Sequence, residues 1–182
     1  MFETFKAKAL AAGNTEVQRF STKTEALDFI EGYLRKENIS NVAGSYAVWA
    51  ESPMLKGVDT KALAARIPGL TFAVTRETAK NAKIGITQME WGIANTGTLA
   101  QDATAADQRL ASTLPWTHIM LLGAGNIVAD LPSFLAKARP DKSNYLALIT
   151  GPSKTADIER VLAIGVHGPE RVVIVCVDEL SS

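Results

Sequence analysis

Ala147-Leu-Ile-Thr-Gly-Pro-Ser-Lys-Thr-Ala-Asp-Ile-Glu-Arg-Val-Leu-Ala-Ile-Gly-Val-His-Gly-Pro169 reads as a strand, a tight polar turn and a helix. Tyr145 to Ile149 is a short apolar run without polar alternation, which suits a strand buried on both faces of a parallel sheet. Gly151-Pro152 breaks it. Thr155 can cap the helix that follows, Asp157 and Glu159 place negative charge in its first turn, and Gly165 is positioned to end it. A helix starting there would present backbone N–H groups beside the hydroxyls of Ser153 and Thr155 and the ammonium of Lys154, a combination that favours a phosphate or carboxylate. Ser-Lys-Thr has the ending of a nucleotide-binding P-loop but lacks that motif's first glycine and its Gly-Lys pair. A turn that only caps a helix explains the same residues.

Working outward, the rest of the chain alternates in the same way. Phe2, Phe5, Ala9 and Leu10 recur at helical spacing until Gly13. Thr22-x-x-Glu25 has the form of a capping box, followed by an apolar stripe of Ala26, Leu27, Ile30, Tyr33 and Leu34. Val42 to Ala50 suits a strand, Asp59 caps a helix over Thr60 to Ile67, and Leu70 to Thr75 reads as the next strand after Pro68-Gly69. Lys83 to Thr87 is a further strand, Gln88 to Ala94 a turn or single helical turn, and Gly97 a sharp bend. Thr117 to Leu122 is a buried strand, Val128 to Ala138 a helix ended by Pro140, and Val172 to Val177 a β-branched strand. The polar stretch Gln101 to Ser112, which holds Arg109, reads as a surface helix or a lid.

Strands alternating with helices define an α/β protein: one domain, a mostly parallel sheet, and helices on both faces. The expected division is a helical segment over residues 1–40 packed on a domain over residues 41–180. Ligands of such sheets bind beyond the carboxyl ends of the strands, which would gather Thr87, Asn95 to Thr98, Gly123 to Asn126 and Thr150 to Thr155 around one crevice.

The chain has 182 residues, 47% of them hydrophobic, enough for one sizeable core. Lys plus Arg and Asp plus Glu number 19 each, so no basic field draws it to nucleic acid or acidic lipid. Cys176 is the single cysteine, within an apolar run, which excludes an internal disulfide and a cysteine-ligated iron–sulfur or zinc cluster in one chain. No signal-peptide pattern or membrane-length apolar run is present, and the expectation is a cytoplasmic protein. His118 and His167 lack partners at metal-ligand spacing and read as capping or hydrogen-bonding residues, so no metal site is expected. Trp49, Trp91 and Trp116 read as core or rim, with Trp91 able to wall a planar ligand. No serine sits in a nucleophile elbow, and no catalytic residue is assigned.

Gly85-Ile-Thr, Ile93-Ala-Asn-Thr-Gly-Thr-Leu99, Arg109, Leu114-Pro-Trp-Thr-His-Ile119, Ile149-Thr-Gly-Pro-Ser-Lys-Thr-Ala-Asp-Ile-Glu159 and Gly165-Val-His-Gly-Pro169 together resemble the LUD domain of the lactate-utilization protein C (LutC/YkgG) family, in the family's order from about Val42 to Asp178. The resemblance implies a fold like glucosamine-phosphate deaminase, ribose-phosphate isomerase and the CoA transferases (NagB/RpiA/CoA transferase-like). It implies an accessory or ligand-binding role beside iron–sulfur subunits that oxidise L-lactate to pyruvate, the clusters lying on the partners and no cofactor on this chain. The alternative is a stand-alone enzyme acting on a phosphorylated sugar, a CoA ester or a nucleotide. The family commonly has a glutamate where this chain has Asn95, and an amide there can only hydrogen-bond. The residues expected to bind a small anion are Thr87, Asn95, Thr96, Gly97, Thr98, Arg109, Gly151, Ser153, Lys154, Thr155 and Asp157. A homodimer is the general prior.

Overall fold

The computed structural model describes residues 1–138, 140–156 and 162–181. In chain order these form α1 (Phe2–Ala11), β1 (Glu16–Phe20), α2 (Lys23–Lys36), β2 (Tyr46–Trp49), α3 (Thr60–Arg66), β3 (Leu70–Thr71), α4 (Arg76–Lys80), β4 (Ala82–Met89), β5 (Trp91–Ile93), β6 (Thr98–Asp102), α5 (Ala106–Thr113), β7 (Thr117–Gly123), β8 (Ile127–Val128), α6 (Leu131–Ala138), β9 (Leu146–Ile149), β10 (Lys154–Ala156), β11 (Leu162–Ile164) and β12 (Arg171–Val177).

Six strands make the central sheet in the order β1-β12-β7-β4-β2-β3. Every pairing in it is parallel, with Ile174 opposite Met120 and Thr87 opposite Met120 on the other side. The unbroken apolar runs of β7 and β12 follow from burial on both faces, because successive side chains point to opposite layers. Towards one layer point Ile84, Ile86, Ile119, Leu121, Val173 and Val175, which meet Ile30, Leu34 and Leu63 of α2 and α3. Towards the other point Met120, Leu122, Ile174 and Cys176, which meet Phe5 and Ala9 of α1 and Leu99 of a second sheet. On that same side Val48 and Ala50 pack on Ala111 of α5. The α/β reading with helices on both faces therefore holds.

The second sheet has the order β8-β5-β6-β9, and α6 covers it by inserting Phe134 against Ile93, Ala100 and Val128. It corrects several expectations. Gln88 to Ala94 is not a turn: β4 continues through Met89 and β5 starts at Trp91. Leu146–Ile149 is not a doubly buried parallel strand but pairs antiparallel with β6 and keeps Leu148 48% exposed. The strand expected over Leu70 to Thr75 shrinks to Leu70–Thr71. Most consequential, the described ends of the helix expected after Thr155 are strands: β10 pairs antiparallel with β11, so that Thr155 faces Ala163 and Ala156 faces Leu162, and residues 157–161 lie outside the described residues. Asp157 and Glu159 lie outside the described residues.

Local signals hold where the pattern is self-contained. Thr22 Oγ1 accepts from Glu25 N–H at 3.2 Å and Glu25 Oε2 accepts from Thr22 N–H at 3.1 Å, a complete capping box. Thr22→Ala is expected to cost about 1 kcal/mol. At this chain length that lowers the melting temperature by roughly 2–4 °C, read by circular dichroism. An unchanged melting temperature would show that the cap contributes nothing to stability.

Candidate functional site

Gly151 turns the chain after β9 with φ 69°, and a Cβ there would come within 2.4 Å of the Ala12 carbonyl oxygen at the end of α1. Gly97 turns the chain between β5 and β6 with φ 67°, and a Cβ there would lie 2.3 Å from the Ala9 nitrogen. Only glycine meets both demands, a left-handed backbone and contact with helix backbone. Thr98 Oγ1 links the two turns, lying 2.8 Å from Thr96 Oγ1 and 2.8 Å from Thr150 Oγ1. Thr96, Gly97, Thr98 and Gly151 thus clamp the second sheet to α1. Lys154 joins the clamp, donating from Nζ to the Ala12 carbonyl oxygen.

Beside this clamp is a cavity of about 250 Å³ lined by Ser112, His118, Thr150, Ser153, His167 and Val172 among others. Its wall is held by Ser153 N–H donating to Pro169 O at 2.9 Å and Gly165 N–H donating to Ser153 O at 3.0 Å. His118 and Val172 are each the second residue of their strand, so the cavity sits at the amino-terminal ends of β7 and β12. The single crevice expected at the carboxyl ends is therefore divided: Thr150 to Ser153 lie here, whereas Gly123 to Asn126 follow β7 at the opposite end.

His118 is 1% exposed, and its Nε2 is 2.8 Å from Thr87 Oγ1 on the neighbouring strand. Burial pushes its pKa down to about 3. The ring is consequently neutral at physiological pH and offers one N–H and one lone pair rather than a charge. His167 lies in the turn after β11 and supplies a second imidazole to the same cavity. Neither histidine was expected to line a site. A titratable residue directly before the apolar run Ile119 to Leu122 was the available signal for His118.

Arg109 has a different task from the one expected. Its Nη1 donates to the carbonyl oxygens of Ala103 and Thr104, the latter at 2.7 Å, and its guanidinium lies over the Tyr145 ring at 5.4 Å. Its own carbonyl accepts from Ser112 at 3.1 Å and Thr113 at 2.6 Å, which fixes the end of α5 at the cavity rim. Asn95 is exposed, its backbone N–H donating to Ala129 O at 3.0 Å. Thr155 lies on β10, and Asp157 is outside the described residues. Among the described residues no group of three or more His, Cys, Asp and Glu side chains is placed to hold a metal, and no helix is long and apolar enough to cross a membrane.

A parallel central sheet, helices on both faces and a second sheet closing one side define an α/β architecture that is also found in a solved protein. The crystal structure of a DUF162 family protein from Deinococcus radiodurans has a TM-score of 0.58 to this chain at 21% identity, covering 97% of this chain and 95% of that one. The LUD domain model matches residues 3–177, and the chain belongs to that family. Similar proteins include the lactate utilization protein C of Macrococcus caseolyticus, 36% identical over 112 residues that cover 57% of this chain and 47% of the relative. That of an Exiguobacterium species is 37% identical over 58% of this chain and 49% of its own. The uncharacterized protein YkgG of Escherichia coli is 33% identical over 56% and 46% respectively. The chain spans about half the length of these relatives.

Proposed function

We propose that this chain serves L-lactate utilization as a cytoplasmic LUD-domain subunit that binds a small hydroxy or keto acid in the His118 cavity, while oxidation to pyruvate takes place with iron–sulfur partner proteins. The observation that carries this reading is the size and lining of the cavity. At about 250 Å³ it falls below the roughly 300–1,000 Å³ of pockets for drug-sized ligands, and so suits a three-carbon acid better than a CoA ester or nucleotide. The Ser153 hydroxyl is a donor for a carboxylate, the Ser112 and Thr150 hydroxyl hydrogens being given to Arg109 O and Thr98 Oγ1, and neutral His118 can receive or give a hydrogen bond at a ligand hydroxyl or keto oxygen. The names carried by the relatives support the pathway. The one cysteine is buried, so cysteine-held clusters belong to the partners in this scheme.

Thermal unfolding against L-lactate, pyruvate, inorganic phosphate, ribose 5-phosphate, CoA and ATP tests the reading. A ligand at about 100 times its dissociation constant stabilises by about 2.7 kcal/mol, a shift of roughly 5–10 °C here. The expected result is that shift with lactate or pyruvate, reduced in Ser153→Ala without a change in the free protein's melting temperature. A shift with CoA, ATP or ribose phosphate and none with the acids would replace this reading with the stand-alone enzyme. Affinity capture from lactate-grown cells should recover iron–sulfur proteins; their absence would remove the subunit role.

A further inference from the structure

At the opposite end of the central sheet, where β2, β4, β7 and β12 finish, lies a crevice of about 400 Å³ lined by Glu51, Ser52, Gln88, Glu90, Trp91 and Gln108 among others. This is the end of a parallel sheet at which ligands usually bind, and none of the residues of the lactate-family motifs discussed above lines it. Its chemistry is one-sided: two carboxylates face it, and no basic side chain is among the residues lining it. Ser52 is 9% exposed, and its hydroxyl has no hydrogen-bond partner among the described residues. The same serine also lines the adjoining groove with Glu51, Leu55 and Lys56. The amide wall is held rigidly, because Gln108 Nε2 donates to the Glu51 carbonyl at 2.8 Å while its Oε1 accepts from buried Gln101 Nε2 at 2.8 Å.

Glu90 is the group that this arrangement leaves uncompensated. Its Oε2 accepts from Asp102 N–H at 2.7 Å, which fixes the carboxyl at the crevice, but no salt bridge to it occurs among the described residues. Glu31 and Glu37 are each paired with two cations, and their pKa values are lowered, first by Arg66 and by Lys83 respectively. Glu90 keeps an open side to solvent, yet the crevice walls strip enough water from its carboxyl to push it up to about 7. The Asp102 carboxylate adds a small push in the same direction. Cations stand around the crevice without pairing with Glu90: Lys137 Nζ lies 5.8 Å from the Trp91 ring centroid, Lys23 Nζ donates to the Pro53 carbonyl at 3.4 Å, and Lys56 lines the adjoining groove.

We infer that the crevice is a binding site for a small primary amine, whose ammonium pairs with the Glu90 carboxylate and Glu51 while its carbon skeleton lies along Trp91 and Met89. A partly desolvated carboxylate without a counter-charge is stabilised by a ligand that brings one. The site rejects anions for the same reason, which separates it from the acid-binding cavity. Binding has a chemical signature: at pH 7 the protonated fraction of Glu90 must release its proton to buffer as the ammonium enters.

Titration calorimetry of the full chain with ethanolamine, putrescine and agmatine, at pH 7 in two buffers of different ionisation enthalpy, tests this. The expected result is binding of at least one amine with release of roughly half a proton, falling to none at pH 8.5. Glu90→Gln should weaken that binding about tenfold or more and abolish the proton release without lowering the melting temperature. Glu51→Gln should weaken it less, and Ser153→Ala not at all. No binding of any of the three amines at about 10 mM, or equal affinity in Glu90→Gln, would overturn the assignment. Loss of binding in Ser153→Ala would place the amine in the other cavity and overturn it as well.

Discussion

Gly85→Ala is expected to destabilise the protein by about 3 kcal/mol, whereas Gly32→Ala stabilises it by about 0.5–1 kcal/mol. Gly85 lies on β4 beneath α5, and a Cβ built there would sit 1.8 Å from the Ala111 carbonyl oxygen and 2.8 Å from Pro115 Cγ. The obstacle is helix backbone, so the methyl can be housed only by lifting the end of α5 from the sheet. Overpacking of this kind costs about 1–3 kcal/mol and more where backbone must move. Gly32 lies in the interior of α2 with nothing within 4 Å of the same position, so alanine there only reduces the freedom of the unfolded chain. At roughly 2–4 °C per kcal/mol, Gly85→Ala should melt about 6–12 °C below wild type and Gly32→Ala slightly above it. A Gly85→Ala protein as stable as wild type would show that α5 is not seated on β4 as described. The consequence reaches the cavity, because Ser112 and Thr113 at the end of α5 line it.

The Gly85 contact also shows what kind of feature was legible in the sequence. Gly85 was visible as part of Gly-Ile-Thr, but the reason for a glycine there is a helix packing from elsewhere in the chain. Features whose cause is local were readable. The Thr22–Glu25 box needs only residues three apart, and Val172 to Val177 needs only burial on both faces. Strand β1 was missed because Glu16-Val-Gln-Arg-Phe20 lies at the sheet edge, where Val17 alone is fully buried and polar residues can alternate with it.

The antiparallel pairing of β10 with β11 shows a local signal overruled. Thr155 followed by acidic residues has the composition of a helix start, yet Lys154–Ala156 instead pairs with Leu162–Ile164. Cross-strand partners decide such short segments, and they are invisible in a local window. With Lys154–Ala156 in a strand, the helix N-terminus that was to bind an anion does not start at Thr155, and Lys154 and Arg109 are both turned onto backbone carbonyl oxygens. The cavity instead gathers Thr150 and Ser153 with His118 and His167, residues that the sequence presented as unrelated.

The buried histidine sets the second large effect, a loss of stability in mild acid that His118→Gln should remove. In the folded chain the ring pKa is about 3, against an ordinary value of 6.5, because burial disfavours the charged form. Below pH 6.5 the unfolded chain therefore binds a proton that the folded chain refuses, and stability falls as pH falls. The slope approaches 1.4 kcal/mol per pH unit, so this one residue costs about 2 kcal/mol by pH 5. Glutamine can keep a hydrogen bond to Thr87 but does not titrate. Glu90 acts in the opposite sense, since its raised pKa makes the folded form take up a proton first as pH falls through about 7. That contribution is common to both proteins and cancels in their difference. Glu31 and Glu37, held below the ordinary 4.5 by their cations, stabilise above 4.5 and lose that contribution only as pH falls further. Urea unfolding of both proteins from pH 8 to 5 should accordingly show the wild-type advantage shrinking by about 2 kcal/mol. Parallel curves would mean that His118 takes up its proton in the folded state, and the neutral ring assigned to the floor of the cavity would be lost.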